Sequence, residues 1–233
     1  MQRFDALELA VGSSMLKGSA SRRTDGERPL VELALKGDTL DLGMFAAFGG
    51  MFVNGSADLP DLDHDLALTL DAGPVTASGL EADAFGLTAR VKEDRADIDR
   101  LMVTNLAGAS LSATGSLTDL SLTPSGTVDV SIVSADGAEL ISTLAAQFSG
   151  PDWLSLAADR IGATPDLLSD IQVSFIASTA PEDKGRSWTM SGNAKAASGS
   201  ASFTGNWKSG EDLGDADGGW QVTATQREPL NFL

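Results

Sequence analysis

The chain has 233 residues, with 33 Asp and Glu against 16 Lys and Arg, a formal charge of −17 at pH 7. That balance argues against nucleic acid and anionic lipid head groups as partners, because both need a basic face. Cys and Tyr are absent and His64 is the single histidine, so disulfides and thiolate metal sites are excluded and little remains for acid–base catalysis.

From the N-terminus, Met1–Val11 (MQRFDALELAV) carries Asp5 and Glu8 where a secretory signal needs an unbroken apolar stretch. Its alternation predicts a strand over Phe4–Val11, and Leu30–Lys36 reads likewise. Leu42–Val53 (LGMFAAFGGMFV) is the longest run without a charged or strongly polar side chain. Its 12 residues fall short of the ~20 that span a bilayer, so it reads as a short buried helix or apolar turn. Period-two alternation then marks Leu66–Leu70, Phe85–Val91, Asp97–Thr104, Ala109–Leu117 and Gly126–Ile132. Over Ser134–Phe148 the spacing changes: Leu140, Ile141, Leu144, Ala145 and Phe148 recur at helical intervals, with Ser134 or Asp136 as N-cap. A second short helix is expected in Pro151–Gly162, giving a helical insertion or cap over 134–168. Alternation resumes in Ile171–Ala177, Ser187–Ala196, Ala201–Trp207 and Trp220–Ala224. Gly37-Asp38, Gly73-Pro74, Pro124-Ser125-Gly126 and Glu182–Gly185 punctuate these runs as turns. Segments bounded by glycine, Gly12–Gly18, Gly73–Gly79, Gly108–Gly115 and Gly199–Gly205, suit short hairpin strands. The whole reads as one elongated all-β unit over 1–233, an antiparallel meander whose sheet is strongly twisted or groove-shaped, as in an open barrel.

No catalytic constellation emerges. The chain has no Gly-x-Ser-x-Gly elbow, no phosphate loop and no Gly-x-Gly-x-x-Gly turn after a strand. Asp61-Leu-Asp63-His64-Asp65 hints at a metal site, yet a calcium loop starting at Asp61 would place Leu66 and Ala72 where Gly and Glu are required. The entry to a strand, with Leu66, Leu68 and Leu70 inward, accounts for it better. Asp212–Gly219 reads as a hairpin turn, since Asp and Gly are what such turns demand. The expectation is a non-enzymatic protein with no catalytic residue, metal or cofactor.

What remains is the apolar face. Its inward positions are rich in Ala and Gly, with few large side chains. Small side chains either let two walls approach closely or leave a furrow for acyl chains, and alternation alone does not choose. The candidate lining residues are Leu111, Ala113, Val128, Val130, Trp188, Met190, Phe203 and Trp207. At ~0.8 kcal/mol per buried CH2, one long acyl chain would bind without polar recognition. The contrasting class is a structural or adhesive β-sandwich with a closed core and loop-mediated protein binding.

Residues 58–117 supply a further clue. They contain DLDHDLALTLDAGPVTASGLEADAFGLTARV and then ADIDRLMVTNLAGASLSATGSL. The Gly79-Leu80 hairpin, Ile98-Asp99-Arg100-Leu101, and Leu106-Ala107-Gly108-Ala109 running to Gly115 and Leu117 resemble the AsmA-like family of bacterial envelope proteins, with its TamB relatives. Gly126–Ile132 followed by Ala138–Leu144 is similar to that family's strand and short helix. The resemblance implies a curved β-sheet groove in the periplasm of Gram-negative bacteria, anchored to the inner membrane by a segment absent from this chain. It also implies a role in outer-membrane biogenesis through lipid transport or contact with envelope assembly proteins. On this reading the chain is a piece of a longer protein and does not itself span the membrane.

Overall fold

A computed structural model describes residues 1–12, 14–43, 64–77, 79–120, 124–147, 168–182, 185–209 and 217–225. The apolar run at 44–53 and the second helix expected at 151–162 lie outside the described residues. Strands come first: β1 (Gln2–Val11), β2 (Ser14–Arg23), β3 (Leu30–Gly37), β4 (Leu40–Asp41), β5 (Asp65–Ala72), β6 (Val75–Ala77), β7 (Leu80–Ala82), β8 (Ala84–Lys92), β9 (Arg95–Leu106), β10 (Ala109–Thr118) and β11 (Ser125–Asp136). Helix α1 (Gly137–Gln147) follows, then β12 (Ser169–Pro181), β13 (Arg186–Ala196), β14 (Gly199–Ser209) and β15 (Asp217–Ala224).

The fold is all-β, as the alternation requires. Twelve strands pair in the order β1-β2-β3-β5-β8-β9-β10-β11-β12-β13-β14-β15, while β4, β6 and β7 form a small second sheet. β1 and β15 stand at opposite ends of that order and do not pair with each other, so the sheet is not a closed barrel. Neighbouring strands mostly pair antiparallel, with two departures from the expected meander, one in each sheet. In the small sheet β4 runs parallel to β6, with Leu40 opposite Val75. In the long sheet β3 and β5 run parallel, Leu30 opposite Asp65 and Gly37 opposite Ala72. Parallel neighbours need a long crossover, and residues 38–64 supply it.

Packing divides the chain into two units, residues 1–104 with 113–126, and residues 105–112 with 127–233. In the first, Leu16, Leu35, Leu40, Leu70, Ala72 and Val75 form a buried cluster, with Leu7, Leu9, Leu33, Phe85 and Leu87 packed against it. Leu40 and Val75 come from the small sheet, so its strands cover one end of the long sheet's apolar face. The buried Ser14 hydroxyl accepts the Asp41 N–H at 2.8 Å, joining β2 to β4. Gly18 is obligatory here: a β-carbon would fall 1.8 Å from the Ala34 carbonyl oxygen of β3.

In the second unit β12 to β15 pair in continuous antiparallel register. The helical spacing over 134–148 becomes α1. Asp136 is its N-cap, Oδ1 accepting the N–H groups of Ala138 at 2.9 Å and Glu139 at 3.4 Å, as first-turn donors without helical partners require. Ser134, the other cap candidate, belongs to β11. It is buried and donates its hydroxyl to the Gly108 carbonyl at 3.1 Å.

Candidate apolar ligand face

Registers decide which side chains meet. Across β12, β13, β14 and β15, one row runs Phe175, Gly192, Phe203, Val222. The next runs Ala177, Met190, Gly205, Trp220, and a third Thr179, Trp188, Trp207, Gly218. These rows share one face, because positions two apart on a strand point the same way. The opposite face carries Thr189, Ser191, Asn193, Ser202, Thr204 and Asn206, all exposed.

Each row sets a glycine beside a large aromatic side chain. Phe175 and Phe203 flank Gly192 with ring centroids 6.4 Å apart. Phe203 lies 6.3 Å from Trp220, which lies 5.3 Å from Trp207. A β-carbon at Gly218 would fall 2.3 Å from both the Asn206 carbonyl oxygen and the Trp207 β-carbon, so β14 and β15 approach closely there. The result is a continuous aromatic surface on a single layer of strands.

Strand β11 extends this face. The Thr127 and Ser178 hydroxyls hydrogen-bond at 3.0 Å, which puts Thr127 on the polar side with Ser178. Val128 and Val130, of opposite parity to Thr127, therefore share the side of Ala177 and Met190. Six of the eight residues expected to line a furrow, Val128, Val130, Trp188, Met190, Phe203 and Trp207, thus share one face, and all are half-buried. Leu111, in the same unit, is also half-buried. Ala113 belongs to the first unit, where its relative exposure is 6%. Alternation alone did not mark Phe175 or Trp220 as lining; their cross-strand positions do.

How far the protein covers this face is decisive. Among the residues of the second unit whose side chains are described, Ala109 is the one hydrophobic residue that is buried. Trp220 is 61% exposed and Ile176, on the other side of β12, 46%. The first unit, by contrast, buries four leucines almost completely.

A cavity of about 680 Å³ lies in the first unit. Its lining includes Lys17, Lys36 and Arg100 together with Asp38, Asp71 and Asp83, so no surplus charge selects an ion. Arg100 Nη2 donates to Asp71 Oδ1 at 2.6 Å, and Lys17 pairs with Glu8 at 3.6 Å. Gly86 leaves room for the first of these pairs, since a β-carbon there would sit 3.1 Å from Arg100 Nη2. Nearby, the Ser21 hydroxyl and then the Arg23 guanidinium hydrogen-bond to Glu32 and hold its carboxyl below the usual glutamate value. On β9 Arg95 does the same to Asp97. These are cross-strand or near-neighbour pairs on an exposed surface and tie adjacent strands together.

Asp65 opens β5, its N–H donating to the Pro29 carbonyl and its carboxylate 3.4 Å from Arg28, so this stretch is the entry to a strand. Asp61 and Asp63 lie outside the described residues, as does most of Asp212–Gly219 apart from the start of β15. Among the described residues no three acidic or histidine side chains converge as metal ligands, and no helix is long and apolar enough to cross a membrane. In the comparisons with known proteins, no family model, curated protein or solved structure matches the chain.

Proposed function

We propose that this protein is a non-enzymatic binding module whose apolar face on β11 to β15 takes up the acyl chain of a lipid. The observation that carries this reading is the second unit's aromatic surface, with Trp188, Met190, Phe203 and Trp207 half-buried on one layer of strands. Burying such side chains fully would release ~1.5–3 kcal/mol each, and a hydrocarbon chain laid across them collects part of that. Thr179 is the one polar side chain in the three rows, so recognition is mainly by area and shape, which suits a conduit for chains of varied length. Placement in a Gram-negative periplasm, inner-membrane anchoring and work in outer-membrane biogenesis rest on the resemblance of 58–117 to AsmA-like proteins alone.

The test is quenching of tryptophan emission by a brominated fatty acid added to the full chain, with native mass spectrometry of the protein as purified. Saturable quenching that weakens when Phe203 is replaced by Asp, together with co-purifying lipid, supports the reading. No quenching and no bound lipid would overturn it and favour the structural or adhesive module, whose interior is sealed by its own atoms.

A further inference from the structure

At one end the three rows of the apolar face continue into a fourth. Pro181 stands opposite Arg186 and Arg186 opposite Ser209, two residues along each strand from Thr179, Trp188 and Trp207. Equal parity puts the Arg186 side chain on the apolar face, and it is half-buried there. Among the described residues of β12 to β15 it is the one charged side chain on that face. Lys208 and Glu182, close by in sequence and register, pair with each other at 3.0 Å on the polar face.

The row next to Arg186 holds a second polar group. Thr179 Oγ1 is shut off from solvent and meets no hydrogen-bond partner. A buried hydroxyl left unpaired is costly, so its place calls for an explanation. Thr179 is the diagonal neighbour of Arg186 across β12 and β13, and such positions, ~7–8 Å apart, are within reach of a long side chain. A guanidinium and a hydroxyl thus stand together where the aromatic surface ends. One group serves both as acceptor: a carboxylate, which the guanidinium fork binds through two parallel hydrogen bonds.

Length agrees with a single chain. From Arg186 to Gly192, beside Phe203, is six residues, or ~20 Å at ~3.4 Å per residue. One acyl chain takes up half of the ~30 Å hydrocarbon core of a bilayer, so it fits along this stretch. At the far end of the face α1 packs against Ile171: a β-carbon at Gly137 would fall 2.2 Å from Ile171 Cδ1.

Building on acyl-chain uptake by this face, we propose that the ligand is a long-chain fatty acid, its carboxylate at Arg186 and Thr179 and its hydrocarbon lying along β13 and β14 over Trp188, Trp207 and Phe203. The net charge of −17 works against adsorption to an anionic surface. A lone carboxylate seated at Arg186 is screened from acids farther away than the ~8 Å Debye length at physiological salt.

Tryptophan quenching of the full chain by a brominated fatty acid and by its methyl ester, at neutral pH, tests this. The acid should bind at least tenfold more tightly than the ester, as a charge-assisted hydrogen bond provides. Arg186→Gln should abolish that difference while leaving the affinity for the ester and the far-ultraviolet circular dichroism unchanged. Trp188→Phe should remove more of the quenching by bromine beside the carboxyl group than of that by bromine at the methyl end, because Trp188 lies in the row next to Arg186. The acid-to-ester ratio of the wild-type chain decides even where a variant does not fold. Equal affinity for acid and ester overturns the proposal and leaves acyl-chain uptake standing. So does an acid preference that survives Arg186→Gln, or a Trp188→Phe effect that is the same for both bromine positions. Failure of acid and ester alike to bind removes acyl-chain uptake itself, and the fatty-acid site with it.

Discussion

The indole of Trp220 on β15 lies over Gly205 on β14: a β-carbon at the glycine would sit 2.7 Å from ring atoms Cε3 and Cζ3. A different obstacle faces Gly192, where the added carbon would fall 2.3 Å from the Ser174 carbonyl oxygen and 2.5 Å from the Phe175 β-carbon. An edge indole can swing aside, whereas the backbone of a paired strand cannot. Gly205→Ala should therefore cost about 1 kcal/mol or less and Gly192→Ala about 1–3 kcal/mol in chemical denaturation. Gly205→Ala should also change the near-ultraviolet circular dichroism of the Trp207–Trp220 pair. Equal costs for the two would mean that β12 and β13 do not approach as closely as described.

If the proposed acyl-chain face is correct, truncations in the two units should separate stability from ligand binding. Leu70→Ala, in the buried cluster, should cost about 2–5 kcal/mol because the cavity it leaves cannot fully collapse. Phe203→Ala removes a half-buried ring and should cost roughly half the ~1.5–3 kcal/mol of a fully buried one, while lowering affinity for an apolar fluorophore. Urea titrations and dye binding on the same samples check both. A Phe203 variant that loses as much stability as the Leu70 variant would show that the ring belongs to a sealed core.

Acid should act on β2 and β3 through Glu32. Its folded-state pKa lies below the ordinary value because Ser21 and Arg23 hydrogen-bond to the charged form. A carboxyl lowered on folding contributes stability that is present above its unfolded pKa, about 4.3, and disappears as pH falls through the folded value. Glu32→Gln should therefore lower the thermal midpoint at pH 6 and leave it nearly unchanged well below pH 4. A gap between the two proteins that persists undiminished in acid would show that the bonds to Glu32 do not depend on its charge.

Much of the strand pattern was legible because alternation is a local signal. Trp188, Met190 and Gly192 on one side, with Thr189, Ser191 and Asn193 on the other, mark β13 without knowledge of its neighbours. β2 was marked only in its first half, within Gly12–Gly18, because Gly18-Ser-Ala-Ser-Arg-Arg23 offers almost no apolar contrast; the rest is placed by Leu7 and Leu35 across Gly18. β6 falls within Gly73–Gly79, which reads as a short hairpin strand after the Gly73-Pro74 turn, whereas β7, at three residues, is too short to display a period. The shared face of six lining residues was foreseeable from parity alone. The burial of Ala113 was not, because it depends on partners far along the chain.

The parallel seam between β3 and β5 sets the order of assembly. Leu30 must find Asp65, 35 positions away, before that pairing returns any free energy, and closing so long a loop is entropically costly. β12, β13 and β14 join through tight connections and can zip from their turns outward. A slow step is thus expected where these distant strands pair, and the leucine-rich interior waits upon that search.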